Sequence, residues 1–96
     1  MEVQHKEISN KGLFFIRDNG KRIGEMVYTR VNEHLIDIEH TEVAAEYIGK
    51  GLAQMLLAKA VEYARENQQK IIPTCAFAKS AFDRKPEIGD VLFKGT

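Results

Sequence analysis

Three groups of residues in this chain are of types that do chemistry: the lone cysteine Cys75, the histidine His40, and the run Ile48-Gly49-Lys50-Gly51-Leu52. The glycine run falls where a β-rich stretch ends at Val43 and a long amphipathic stretch begins. A glycine turn that opens a helix leaves backbone N–H groups without partners, and the helix dipole adds positive potential there. Phosphate suits such a place, and Lys50 can add charge. The same pattern also serves as a tight turn and nothing more. Cys75 stands between a short β-like run and a short helix. Free N–H groups at a helix start stabilise a negative sulfur, so it is a candidate nucleophile, against the plainer use of a cysteine as a small buried hydrophobe. His40 can exchange a proton near neutral pH and is a candidate base, against a structural role with one hydrogen bond across a sheet.

The elements that must position these groups are legible from the pattern. Leu13–Asp18 and Lys21–Arg30 read as strands around Asn19-Gly20, a pair suited to a hairpin turn because both positions need positive φ. Asn32-Glu33 makes a second turn, and His34–Val43 a third strand, with Ile36, Ile38 and His40 on one face and Glu39 on the other if pairing is regular. The first half is thus expected to be a three-stranded antiparallel meander. Over Gly49–Asn67, Leu52, Leu56, Ala60 and Tyr63 recur at helical spacing. Lys70–Pro73 reads as a short strand, Cys75–Arg84 as a short helix stopped by Pro86, and Asp90–Phe93 as an added edge strand. A crossover through the long helix implies that its two flanking strands run parallel. The fold expected is α/β: a single domain over residues 1–96, with one mixed, mostly antiparallel sheet, one long helix and one short one. Tyr28, Tyr47 and Tyr63 read as packing residues, and His5 and His34 carry no assignment.

Composition narrows the function. Lysine plus arginine and aspartate plus glutamate balance at 14 each, for a net charge of +0, and no basic run exists, so a nucleic-acid binder is not expected. With 44% hydrophobic and 29% charged residues the chain is ordinary for a globular domain. Met1–Lys6 lacks the apolar core of a signal peptide, and no apolar run approaches the roughly 20 residues of a membrane span. A single cysteine fits a reducing cytoplasm. CxxC and HxxxH spacings are absent, so no metal site is expected. A possible exposed edge on so small a sheet could pair in a homodimer.

The series His40-Thr41-Glu42-Val43, Gly49-Lys50-Gly51-Leu52-Ala53, Ala64-Arg65-Glu66, Ile72-Pro73-Thr74-Cys75-Ala76-Phe77 and Pro86-Glu87 resembles the GNAT acyltransferase superfamily, and within it the very small GNAT-like N-acetyltransferases. The superfamily signature opens on Gln or Arg three residues before the first glycine. Here that position is Glu46. The tyrosine that many members carry as an acid in the second helix is replaced by Ala81-Phe82, and the N-terminal helical segment that commonly builds the acceptor site is lacking.

The resemblance implies acetyl transfer from acetyl-coenzyme A to an amine, small-molecule or protein. The pyrophosphate would rest on the amides of Ile48, Gly49, Lys50, Gly51 and Leu52. The pantetheine arm would lie along the strand end near Val43, like an added strand. Cys75, at a position the resemblance suggests is catalytic, would be the acyl-accepting nucleophile or the partner of the leaving thiol; His40 remains the candidate base on its own chemistry. Two other readings stay open: a module that binds coenzyme A or its acyl derivatives without turnover, and a thiol-redox protein using Cys75.

Overall fold

The computed structural model describes residues 1–95. Five strands, β1 (Val3–Ile8), β2 (Lys11–Asp18), β3 (Lys21–Asn32), β4 (Leu35–Val43) and β5 (Lys70–Pro73), form one sheet in chain order. The first three pairings are antiparallel, and β4 pairs with β5 in parallel through the crossover helix α1 (Leu52–Glu66). A second helix, α2 (Ala76–Arg84), follows β5. Asn19 and Gly20 take φ of 53° and 78°, which closes the β2–β3 hairpin as their residue types require. The buried residues of both helices, from Leu52 to Ala64 and from Ala78 to Phe82, share one core with Phe14, Ile16, Met26, Ile36 and Ile38.

Two expectations are corrected. The meander has four strands, because β1 pairs with β2. Its half-buried positions are Val3, His5 and Glu7, while Ile8 is 73% exposed, so the usual alternation of apolar inside and polar outside is inverted. The segment after α2 begins with a 3-10 turn over Pro86–Val91 instead of a strand from Asp90. Only Leu92 bridges to Ile71, in parallel, and the Phe93 N–H donates to the Ile71 carbonyl at 2.9 Å.

His5 and Glu7 point inward because of a polar cluster. Tyr28, wholly buried, bonds His5 Nε2 at 2.6 Å and donates to Glu7 at 3.2 Å; Tyr63 donates to the same carboxylate at 3.3 Å, and Arg30 does so at 2.6 Å. Tyr28 and Tyr63 therefore pack, as expected, but also hold a carboxylate. Gly12 makes this possible: a Cβ there would stand 2.0 Å from Tyr28 Cζ, so only glycine lets the ring cross β2. Burial holds the His5 imidazole below its ordinary value against the pull of Glu7. Burial also works to raise Glu7, but its hydrogen bonds, that from Arg30 foremost, outweigh this and hold the carboxyl below its usual range.

Two predictions follow from this cluster. Gly12→Ala should cost about 3 kcal/mol in urea unfolding or prevent folding, since the clash is with a ring walled in on all sides; a loss under about 1 kcal/mol would refute the close approach. Both depressed groups contribute stability that is complete above their ordinary values, 6.5 for His5 and 4.5 for Glu7, and is lost as pH falls through the folded values. Stability should decline first below about pH 6.5 and again below about pH 4.5. His5→Gln should abolish the first decline alone, which denaturation midpoints across that range would show.

Candidate active site

The site is built where the sheet opens. β4 pairs with β5 only from Leu35 to Ile38, and there β5 ends at Pro73. The Cys75 N–H still reaches back to the Ile38 carbonyl at 3.0 Å, after which the chain turns into α2. Beyond Ile38, β4 is held by β3 on one edge and meets no strand on the other. Ala44 N–H donates to Ile23 O at 2.8 Å, so by the alternation of an antiparallel ladder the N–H and C=O of Thr41 and Val43 turn to the open edge.

A bulge sits at the point of departure. Tyr28 stands opposite Ile38 and Val27 opposite His40, so Glu39 is the extra residue. One inserted residue exchanges the faces of everything after it. This corrects the expectation that His40 shares the face of Ile36 and Ile38. Thr41, opposite Met26, and Val43 take the core side. His40 and Glu42 lie together on the other face, 3.5 Å apart, with Glu25 beside them and all three ligand atoms within 4.8 Å. Cys75 therefore meets Thr41 and not His40: Sγ lies 3.3 Å from Thr41 Oγ1. Cys75 also caps α2, its Sγ accepting from the Ala78 N–H at 3.4 Å. Thr74, beside it, donates to Asp37 across the parallel pair.

The start of α1 has the predicted character, with the donors displaced. Gly49 and Gly51 both take positive φ, 86° and 83°, and Gly51 is the residue before the first helical turn. Among the described residues no side chain caps this end, no acidic residue lies in its first turn, and the N–H groups of Gly49, Gly51, Leu52, Ala53 and Gln54 have no partner. The Ile48 and Lys50 amides, expected in the set, donate at 3.3 Å to the carbonyls of Ala45 and Tyr47, which close a 3-10 turn. The donor cluster thus reaches further into the helix than the sequence pattern suggests. Tyr47 ties this turn to the β2–β3 hairpin through a hydrogen bond to Asp18, which, ahead of burial, raises the phenol above its ordinary value. Glu46 is exposed on the same turn.

A cavity of ≈ 260 Å³ lies at the helix start; it is lined by Val43, Ile48, Gly51, Leu52, Gln54 and, two residues beyond the thiol, Phe77. A second one, of ≈ 410 Å³, meets Val43 and Ile48 from the side of Glu25 and Glu42. Ile48, between them, is 70% exposed. Thr41, Phe77 and the Ala53 and Gln54 amides are absent from the residues expected on sequence. Thr41 is hidden by the bulge. The two amides follow from the helix beginning at Leu52 and not at Gly49.

Comparison with known proteins bears on the fold and the family. Residues 13–91 match the family profile of GCN5-related N-acetyltransferases. The chicken protein NATD1 is 28% identical over 87 residues, 90% of this chain and 77% of that protein, and the human one is 30% identical over 61 residues, 64% of this chain and 54% of its own length. The solution structure of a GCN5-like protein from Staphylococcus aureus, 34% identical, superposes with a TM-score of 0.71 over 97% of this chain and 90% of that one. A GNAT family acetyltransferase from Elizabethkingia anophelis with acetyl-coenzyme A bound shares the fold at a TM-score of 0.61 and 18% identity, over 80% of this chain and 53% of its own. The chain belongs to the GCN5-related N-acetyltransferase family.

Proposed function

We propose that the protein transfers an acetyl group from acetyl-coenzyme A to an amine, and that the acetyl group passes through Cys75. One observation carries this: the unpaired edge of β4 runs from the free amides at the start of α1 to the Cys75 sulfur. The Gly51 to Gln54 amides would take the pyrophosphate, with no Cβ on Gly49 or Gly51 to obstruct it. The Thr41 and Val43 main chain would bind the pantetheine amides as a strand partner does. Exposed Ile48 would pack on its methylenes. That a fold neighbour is solved with acetyl-coenzyme A supports the choice of donor.

In the first step Cys75 Sγ gives up its proton and forms a bond to the acetyl carbon. The carbon–sulfur bond to coenzyme A breaks, and the departing sulfur takes a proton. In the second step the amine attacks the acetyl-cysteine, loses a proton, and Cys75 recovers its thiol. The Thr41 N–H, on the residue that meets the sulfur, would receive the oxyanion in both steps, leaving the Thr41 carbonyl and Val43 to the pantetheine. His40, on the far face of β4, is not within reach of Sγ. Its role in this scheme is to take the proton from an amine arriving on that face. A thiol that must stay reduced for this chemistry accords with a cytoplasmic setting.

The absence of an acid beside Cys75 among the described residues favours one competing reading, a module that binds acyl-coenzyme A without turnover. Three measurements separate them. Titration with coenzyme A should give saturable heat, weakened about tenfold by Gly51→Ala, whose added Cβ touches nothing of the protein within 4 Å but would stand against the approaching pyrophosphate. Mass spectrometry after exposure to acetyl-coenzyme A should find the acetyl group on Cys75. Product from an amine panel should fall about a thousandfold or more in Cys75→Ala. Binding without product would leave the module; product undiminished in Cys75→Ala would show direct transfer.

A further inference from the structure

Both helices lie on one face of the sheet, and the opposite face is bare of helix. Its rows follow from the strand register: Lys6, Leu13, Val27 and His40 stand side by side across β1 to β4, and Gln4, Phe15, Glu25 and Glu42 form the next row. Phe15 is only 6% exposed yet stands outside the core; it is shielded by the cations of Arg22, Arg17 and Lys6, at 4.9, 5.3 and 5.8 Å from the ring. An open cavity of ≈ 400 Å³ over Leu13 and Val27 extends to the exposed Ile8. Leu13, Val27 and Ile8 thus form an apolar patch on this face, bordered by the Arg22–Glu25 pair and by Lys11.

Its margins are charged, and oppositely. Lys6, Lys11 and Arg17 lie towards β1 and β2, whereas Asp37, Glu39 and Glu42 lie on β4. Some charge is neutralised within the chain, Lys11 with Glu39 at 3.2 Å and Arg22 with Glu25 at 3.3 Å. Among the described residues Lys6 and Arg17 have no ion-pair partner, and Glu42 meets only His40.

We propose that this face stacks on the same face of a second copy, about a two-fold axis parallel to the strands. That axis maps each row onto itself, so β1 of one copy lies over β4 of the other, with Lys6 above His40 and diagonal to Glu42 one row away; the basic margin meets the acidic one twice while the Leu13 and Val27 patches face each other. A two-fold across the strands would bring Lys6 to Lys6 and Glu42 to Glu42, which like charges oppose. An anionic surface or polyanion would gain on one margin and lose on the other, whereas a second copy gains on both.

Sedimentation equilibrium over the micromolar range tests this. The wild type should be dimeric, and its dissociation constant should rise with salt. Val27→Lys, a half-buried residue on the bare face, should give a monomer. Lys6→Glu should raise the dissociation constant about tenfold. Adding Glu42→Lys to it should restore the wild-type value, because each reversed charge then lies diagonal to its reversed partner. Lys6 and Glu42 are exposed, so this pair decides the matter even if Val27→Lys does not fold. A monomeric wild type, a dimer indifferent to Val27→Lys, or a double variant no tighter than the single one would each overturn the proposal.

Discussion

The structure turns on the place where β4 leaves β5. Their parallel ladder lasts only from Leu35 to Ile38, and the β4 residues beyond it keep a single neighbour. Backbone donors and acceptors cannot be left without partners at no cost, so an open strand edge is a demand for one. Three features hold the edge open. β5 ends at Pro73, which has no N–H to extend a ladder. Cys75 then takes the Ile38 carbonyl with its own N–H and commits the chain to α2. On the other strand the bulge at Glu39 adds local twist and bends β4 away. The same few residues that stop the pairing also bring the thiol to the gap.

From this opening the proposed chemistry would inherit its geometry. Thr41 and Val43 present main-chain groups to the gap, and Thr41 also meets the sulfur. The α1 amides lie at the far end, held by the 3-10 turn that Tyr47 anchors to Asp18. Neither end is carried on a long loop: one is a helix start and the other a helix cap. Sites on such elements hold their positions more closely than sites on loops. The polar cluster around Glu7 lies on the β1 side, where Tyr63 of α1 joins it to the sheet.

Much of this is legible in the residues. Asn19-Gly20 and the two glycines before Leu52 specify backbone conformations that few other residues adopt, and the structure uses them so. The apolar spacing of α1 and the proline after α2 are equally direct. What escapes is whatever depends on a partner distant in sequence. β1 looks unlike a strand because its inward positions are filled by His5 and Glu7, whose partners Tyr28 and Tyr63 lie 23 and 56 residues away from His5 and Glu7, respectively. The bulge at Glu39 leaves no mark either, since Glu39, His40 and Glu42 are all polar and alternation cannot show a change of face among them.

That change of face has a consequence for how the site divides its work. With regular pairing His40 and Cys75 would have stood together as base and nucleophile on one side of the sheet. The inserted residue separates them, placing the thiol with Thr41 on the helix side and the imidazole with Glu25 and Glu42 on the bare side. A thioester lying in the gap would then be open to the sulfur from one face and to an incoming amine from the other. The residues gathered on the second face include two carboxylates, which suit a cationic amine before it loses its proton. If two copies stack on their bare faces, the approach to His40 lies at the margin of that interface, beside Lys6 of the other copy. Acceptor access and self-association would then share one surface, and each would be sensitive to the charge at Glu42.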